Sequence, residues 1–320
     1  MTAQRRISIR NIERSASTID PVFLHTPQFV SDPLSDELGC EVTLKVETMN
    51  PIRSFKGRGA DFFFRENREL VATRQVVCAT AGNFGQAVAY AAAQNGVKPI
   101  VYCATNANHL KVQRMRQLGA DVRQSGENFD ASKVAAKEFC VESGAYFVED
   151  GRDVAISEGA GSLAVELMAS RSFDSVVVPL GNGALISGVA TWIKHVQPSV
   201  RVIGVASERA DAMEASWRTK SFVERPSVDT IADGIAVRMP VPEALDDMRG
   251  VVDDVVLVSE ASILQAMRML FVTSGIVGEP AGVAGIAGLI EHESLRQGRS
   301  ATIVCGSNLT EDQMRKWLFA

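Results

Sequence analysis

Gln75-Val76-Val77-Cys78-Ala79-Thr80-Ala81-Gly82-Asn83-Phe84-Gly85-Gln86 is an apolar run that breaks into a glycine turn and resumes as a segment with apolar residues three and four apart. That is strand, glycine loop, helix, in immediate succession. A strand that feeds a helix needs its next strand parallel to it, because the crossover returns the chain to the same end of the sheet. The neighbouring sequence repeats the pattern. Residues 41–46, 98–104 and 145–148 read as further strands, and 83–95, 108–118 and 129–143 as helices. Gly96 and Gly119 stand where C-cap glycines end the first two helices. Farther on, helix 157–171, strand 175–180, helix 185–196 and strand 201–206 continue the alternation. Residues 216–239 are polar and irregular. Strand 255–258, helices 260–273 and 281–297, strand 302–305 and a short end helix follow. The expected fold class is α/β, with open, twisted, mostly parallel sheets flanked by helices on both faces.

Ligands of such sheets bind beyond the carboxyl ends of the strands. Three ends carry special loops. In the first, Thr80, Ala81, Gly82, Asn83 and Phe84 combine conformational freedom at glycine with N–H groups at a helix start, a cradle for a carboxylate. In the second, Gly181-Asn182-Gly183-Ala184-Leu185 leads from a strand into a helix and offers consecutive N–H groups to a phosphate. It is neither a Walker loop, since the GK[ST] is missing, nor GxGxxG, since Ile186 stands where the third glycine belongs. In the third, Ile303-Val304-Cys305-Gly306-Ser307-Asn308 is a strand that turns at once. A fourth segment, Ser54-Phe55-Lys56-Gly57, follows the turn-favouring Asn50-Pro51 and opens a helical stretch over 61–70. It puts one lysine at a helix mouth, where an amine is placed to form a Schiff base with an aldehyde.

Composition narrows the classes. The chain has 320 residues, 46% hydrophobic and 22% charged, with net charge -5 and no basic block, which argues against nucleic acid as a partner. No apolar run approaches the roughly 18 residues of a membrane span, and the arginines of residues 1–20 flank no apolar segment of the kind a secretory signal needs. Five cysteines without a CxxC pair fit reduced thiols and a cytoplasmic location. Four histidines lie far apart without ligand spacing, and no metal site is expected; His195 and His292 read as surface residues.

Taken together, these segments resemble the fold-type II pyridoxal-phosphate enzymes, and within them the serine/threonine dehydratases and serine racemases. The resemblance runs from about His25 to Asn308. It implies a tryptophan-synthase-β-like pair of sheets. Residues 1–53 and 151–320 would form a large cofactor-binding domain, and 54–150 a small substrate-loop domain. It implies pyridoxal 5'-phosphate as cofactor, with Lys56 as the catalytic lysine that carries it and Phe55 stacked on its ring. Residues Gly181, Asn182, Gly183, Ala184 and Leu185 would take its phosphate, Asn83 its phenolic oxygen, and Cys305 its ring nitrogen; Glu279 would lie beside it. Thr80, Ala81, Gly82, Asn83 and Phe84 would bind the substrate. The racemases carry a serine at the position of Ala81 as the second base, so the resemblance implies dehydration without racemisation. Phe84 replaces a histidine or small residue, Asn182 a loop glycine, and Ser207 and Met213 the acidic residues of the racemase cation site. The implied function is α,β-elimination from a small β-hydroxy amino acid such as L-threonine or L-serine, giving a 2-oxo acid and ammonia, in a homodimer. β-Replacement, or elimination from another β-substituted amino acid, is the alternative.

Overall fold

The computed structural model describes residues 5–319; residues 1–4 and 320 of the expected large domain lie outside the described residues. In chain order the strands are β1 (Gln28–Val30), β2 (Glu41–Val46), β3 (Val76–Ala79), β4 (Ile100–Cys103), β5 (Asp121–Gln124), β6 (Tyr146–Phe147), β7 (Ser175–Pro179), β8 (Arg201–Ser207), β9 (Asp254–Val258) and β10 (Arg299–Val304). They form two sheets, β1-β2-β10-β7-β8-β9 and β5-β4-β3-β6. Every pairing is parallel except that of β1 with β2. All residues of β3 and β7 are buried, as expected of strands covered by helices on both faces.

The sequence reading misses two edge strands, for different reasons. β1 is only three residues long and takes its order from β2. β5, Asp-Val-Arg-Gln, has no apolar run because its residues stay partly exposed at the sheet edge. Three helices, Ile9–Thr18, Asp32–Leu38 and Pro242–Met248, are also additions to it. The expected helix 281–297 is divided. A 3₁₀ turn spans Pro280–Val283, the helix proper is Ala284–Glu291, and a second turn covers Glu293–Leu295. Pro280 removes an N–H donor, and a Cβ on Gly282 would stand 2.4 Å from the Gly306 carbonyl, so this turn is shaped by contact with the last strand. At the far end Arg296 takes over the carbonyls of Leu289 (2.7 Å) and Ile290 (2.5 Å). The polar stretch 216–239 is less irregular than expected, since it holds the end of helix Ala212–Thr219 and a turn at Asp233–Ile235. His292 is half-buried and its Nε2 lies 2.7 Å from the Leu257 carbonyl oxygen, so it is no free surface residue.

The lysine-bearing helix runs Lys56–Glu66, beginning earlier than the sequence suggests and ending at Asn67 before a separate helix, Arg68–Thr73. It lies between the small sheet's helix Asn83–Gln94 and the large sheet's helix Val154–Ser170. The crossing with Val154–Ser170 is close because glycines face it on both sides. A Cβ on Gly59 would lie 2.5 Å from the Ile156 carbonyl, and one on Gly159 2.5 Å from that of Arg58. Arg58 is fully buried at this crossing and is satisfied by Glu47 (2.7 and 2.9 Å), Glu166 (2.9 and 3.0 Å) and Ser162 (3.0 Å). Lys45 donates to Glu166 at 2.6 Å, so two carboxylates balance two cations. The two cations hold the Glu166 carboxyl low, at about 2, against the opposing effect of burial. This neutral, fully bonded cluster fixes the first turn of the helix that begins with Lys56.

Candidate active site

A cavity of about 240 Å³ opens where the ends of β3, β6, β7 and β10 converge. Its walls include Phe55, Lys56, residues 80–84, residues 181–185, Glu279 and Cys305. The four segments singled out in the sequence, up to 251 residues apart, therefore meet in one place.

The lysine turn is tied to the last strand. Ser54 bridges Gly306 in antiparallel fashion, Phe55 N donates to Cys305 O (3.1 Å), Ser307 N to Arg53 O (3.0 Å), and Asn308 Nδ2 to Ile52 O (2.9 Å). Lys56 Nζ then lies 5.0 Å from the ring centre of Phe55 and 5.7 Å from that of Phe84, and is ion-paired with Asp150. Phe55 is both core and wall: it is 7% exposed and packs among residues such as Leu185 and Cys305.

In the Thr80 loop the threonine hydroxyl organises the backbone. Its Oγ1 accepts from Gly82 N (2.8 Å) and Gly85 N (3.1 Å). The Gly82 N–H is thus committed, where the sequence reading left it free for a ligand. Gly82 has φ +152°, and a Cβ there would stand 2.1 Å from Lys111 Cδ, so only glycine fits. Lys111 runs beneath the loop and donates to Asp233 at 2.7 Å. Asn83 Nδ2 donates to Glu279 Oε1 (2.5 Å), Asn308 Nδ2 to Asn83 Oδ1 (3.0 Å), and Asn308 N to Glu279 Oε2 (2.8 Å). Burial pushes the Glu279 carboxyl up, opposed by Lys111 and reinforced by Asp233.

Gly183 has φ +90° and is the N-cap of helix Ala184–Val196, with no side chain to cap it. The first N–H groups of that helix have no partner within it and carry the positive end of its dipole. A Cβ on Gly181 would lie 2.8 Å from the Gly234 carbonyl. A narrow cup of backbone donors results, and it suits a phosphate. On the opposite side Cys305 is buried with Sγ 3.7 Å from the Ala281 carbonyl oxygen. Burial, then the Glu279 carboxylate, push its thiol well above the usual range. A neutral thiol is a weak donor. Cup, amine and thiol together fit pyridoxal phosphate, whose phosphate, aldehyde and ring nitrogen call for these three groups.

Sequence reasoning missed Asp150, Lys111 and the Lys133–Glu149 pair on the same wall. Asp150 had a signal: it follows β6, a fourth strand end on this side of the sheet. Among the described residues no group of three or more His, Cys, Asp or Glu is placed to hold a metal ion, and no helix is long and apolar enough to cross a membrane.

The two-sheet fold and this cavity define a cofactor enzyme, and residues 19–306 match the model of the family described as pyridoxal-phosphate dependent enzyme, to which the chain belongs. Its cofactor is therefore pyridoxal phosphate. Among characterised relatives, the chain is 34% identical over 304 residues to the L-threonine ammonia-lyase of Thermotoga maritima, covering 95% of this chain and 76% of that protein. It is 32% identical to the biosynthetic L-threonine dehydratase of Escherichia coli, covering 91% of this chain but only 57% of that longer protein. Maize serine racemase superposes with a TM-score of 0.90 at 26% identity, over 97% of this chain and 96% of the other. These likenesses bear out the resemblance to fold-type II serine/threonine dehydratases and racemases.

Proposed function

We propose that the protein is a lyase that catalyses α,β-elimination from a small β-hydroxy amino acid, L-threonine or L-serine, releasing a 2-oxo acid and ammonia. The observation that carries the reading is the presence of Lys56, the Thr80–Phe84 loop, the 181–185 cup and Cys305 around one cavity, in a chain similar to an L-threonine ammonia-lyase. In this reading residues 181–185 hold the cofactor phosphate through backbone N–H groups. Phe55, Asn83, Glu279 and Cys305 line the ring, and Lys56 carries the aldehyde carbon. Bound pyridoxal phosphate supplies the sink for electrons released at the α-carbon. Thr80, Ala81, Gly82, Asn83 and Phe84 take the substrate. The loop backbone, ordered by Thr80 Oγ1, meets the carboxylate, and the Phe84 ring keeps water from the reacting carbon. Lys56 Nζ, as a free amine, would be placed to remove the α-proton. Ala81 has no proton to give from the opposite face, so stereochemical inversion lacks its second base.

Residues 1–53 and 151–320 then act as the large cofactor-binding domain and 54–150 as the small substrate-loop domain. A cytoplasmic location is supported by the five free thiols, and a homodimer is part of the same proposal. The test is to incubate the purified, cofactor-loaded protein with L-threonine and L-serine and follow 2-oxo acid release. Steady turnover is expected. Release from neither amino acid, with the cofactor bound, would rule the reading out.

A further inference from the structure

Asp150 is 6% exposed, and its two carboxylate oxygens have unequal surroundings. Oδ2 is paired with Lys56 Nζ, while Oδ1 is buried without a hydrogen-bond partner among the described residues. An orphaned carboxylate oxygen in a closed site is costly unless a ligand supplies a donor. The residue lines the cavity, and the neighbouring carboxylate offers no relief, because Glu149 is occupied by Lys133 and Lys137. The nearby wall is apolar: Phe84, Phe129, Phe147 and Val148. The chemistry of Lys56 deepens the deficit. To take the α-proton Nζ must be a neutral amine, with two N–H donors in place of an ammonium's three, so Asp150 has fewer donors in the working enzyme. An acceptor in contact with the amine that reaches the α-proton lies within a few bonds' length of the β-carbon of the substrate.

We infer that Asp150 is the specificity-determining residue for the β-substituent, accepting a hydrogen bond from a donor carried on the β-carbon. The inference rests on the lyase reading. It selects hydroxyl- or ammonium-bearing substrates over those whose β-group has no proton to donate. A site built around such an acceptor leaves a buried charge unpaired when the donor is missing, which is the strongest form of discrimination against a near-isostere. Because Asp150 also touches Lys56, its removal disturbs every substrate to a common extent. The informative quantity is the ratio between substrates.

The experiment measures kcat/KM for L-serine, L-2,3-diaminopropionate and β-chloro-L-alanine in the parent, Asp150→Ala and Asp150→Asn proteins. Pyridoxal phosphate binding is followed separately by absorbance titration. The parent should favour at least one donor-bearing substrate, and the first two amino acids separate a hydroxyl from an ammonium donor. Asp150→Ala should cut kcat/KM for that substrate about ten- to a hundredfold more than for β-chloro-L-alanine, the range of one charge-assisted hydrogen bond. Asp150→Asn, which keeps an acceptor without the charge, should fall between. Cofactor affinity should change little in either variant. Equal losses on all substrates would show that Asp150 only holds Lys56, and would overturn the inference while leaving the lyase reading intact. A parent protein that eliminates from none of the three, nor from L-threonine, would instead overturn the lyase reading. Should both variants misfold, L-alanine, which has no β-donor, provides the check on the parent: inhibition at the KM of the preferred substrate, in place of at least tenfold weaker binding, would also overturn it.

Discussion

Lys56 is the residue on which the chemistry turns, and its surroundings separate two of its functions. The cup at residues 181–185 grips a phosphate through backbone N–H groups that do not depend on the amine. Lys56→Ala should therefore abolish turnover yet retain much of the affinity for pyridoxal phosphate, now bound reversibly and resistant to borohydride fixation. Normal turnover in this variant would remove the lysine from the mechanism. What could be read in advance at this scale was local. Glycines after an apolar run, and a lysine between an aromatic residue and a glycine, are visible within a dozen positions. Asp150 was not, because its significance lies in Lys56, 94 residues away, and Lys111 was hidden for the same reason, its partner Asp233 lying 122 residues on.

Among the elements, buried strands and the glycine-ended helices were legible, since burial on both faces writes a continuous apolar run and a left-handed C-terminal glycine marks a stop. Edge strands and short helices were not, because their order comes from neighbours and leaves no period of their own. The short helix Pro242–Met248 shows what that omission hides. It packs behind the phosphate cup, with Ala244 Cβ 3.0 Å from where a Cβ on Gly183 would lie. Its Asp247 is buried, and burial pushes the carboxyl up to about 6; Arg6 opposes this, while Asp246 and Glu243 add to it. Folding thus favours the protonated form. The stability this confers is complete below the unfolded value of about 3.9 and is lost as pH rises through about 6, a decline of about 2–3 kcal/mol. Asp247→Asn should be more stable than the parent at pH 8 and nearly equal to it at pH 4, by urea denaturation at each pH. A constant difference between the two proteins across that range would place the cost elsewhere than in ionisation.

For the molecule as a whole, the site is shared between two sheets, so a ligand that fills it ties both to one another. Pyridoxal phosphate at a hundred times its dissociation constant should add about 2.7 kcal/mol to the stability of the folded chain. A rise of a few degrees in Tm is expected on loading, smaller in Lys56→Ala but present. No shift in either protein would mean that the cofactor does not bind the folded form. The same sharing has a temporal side. The turn that seats Lys56 is stitched by Ser54, Phe55 and Arg53 to residues 305–307, just beyond β10. During synthesis the lysine is exposed early, but the partner that aims it arrives only after roughly 250 more residues have been added. The amine thus acquires its final setting only once β10 has been made, which makes cofactor capture a late event in the folding of this two-sheet unit.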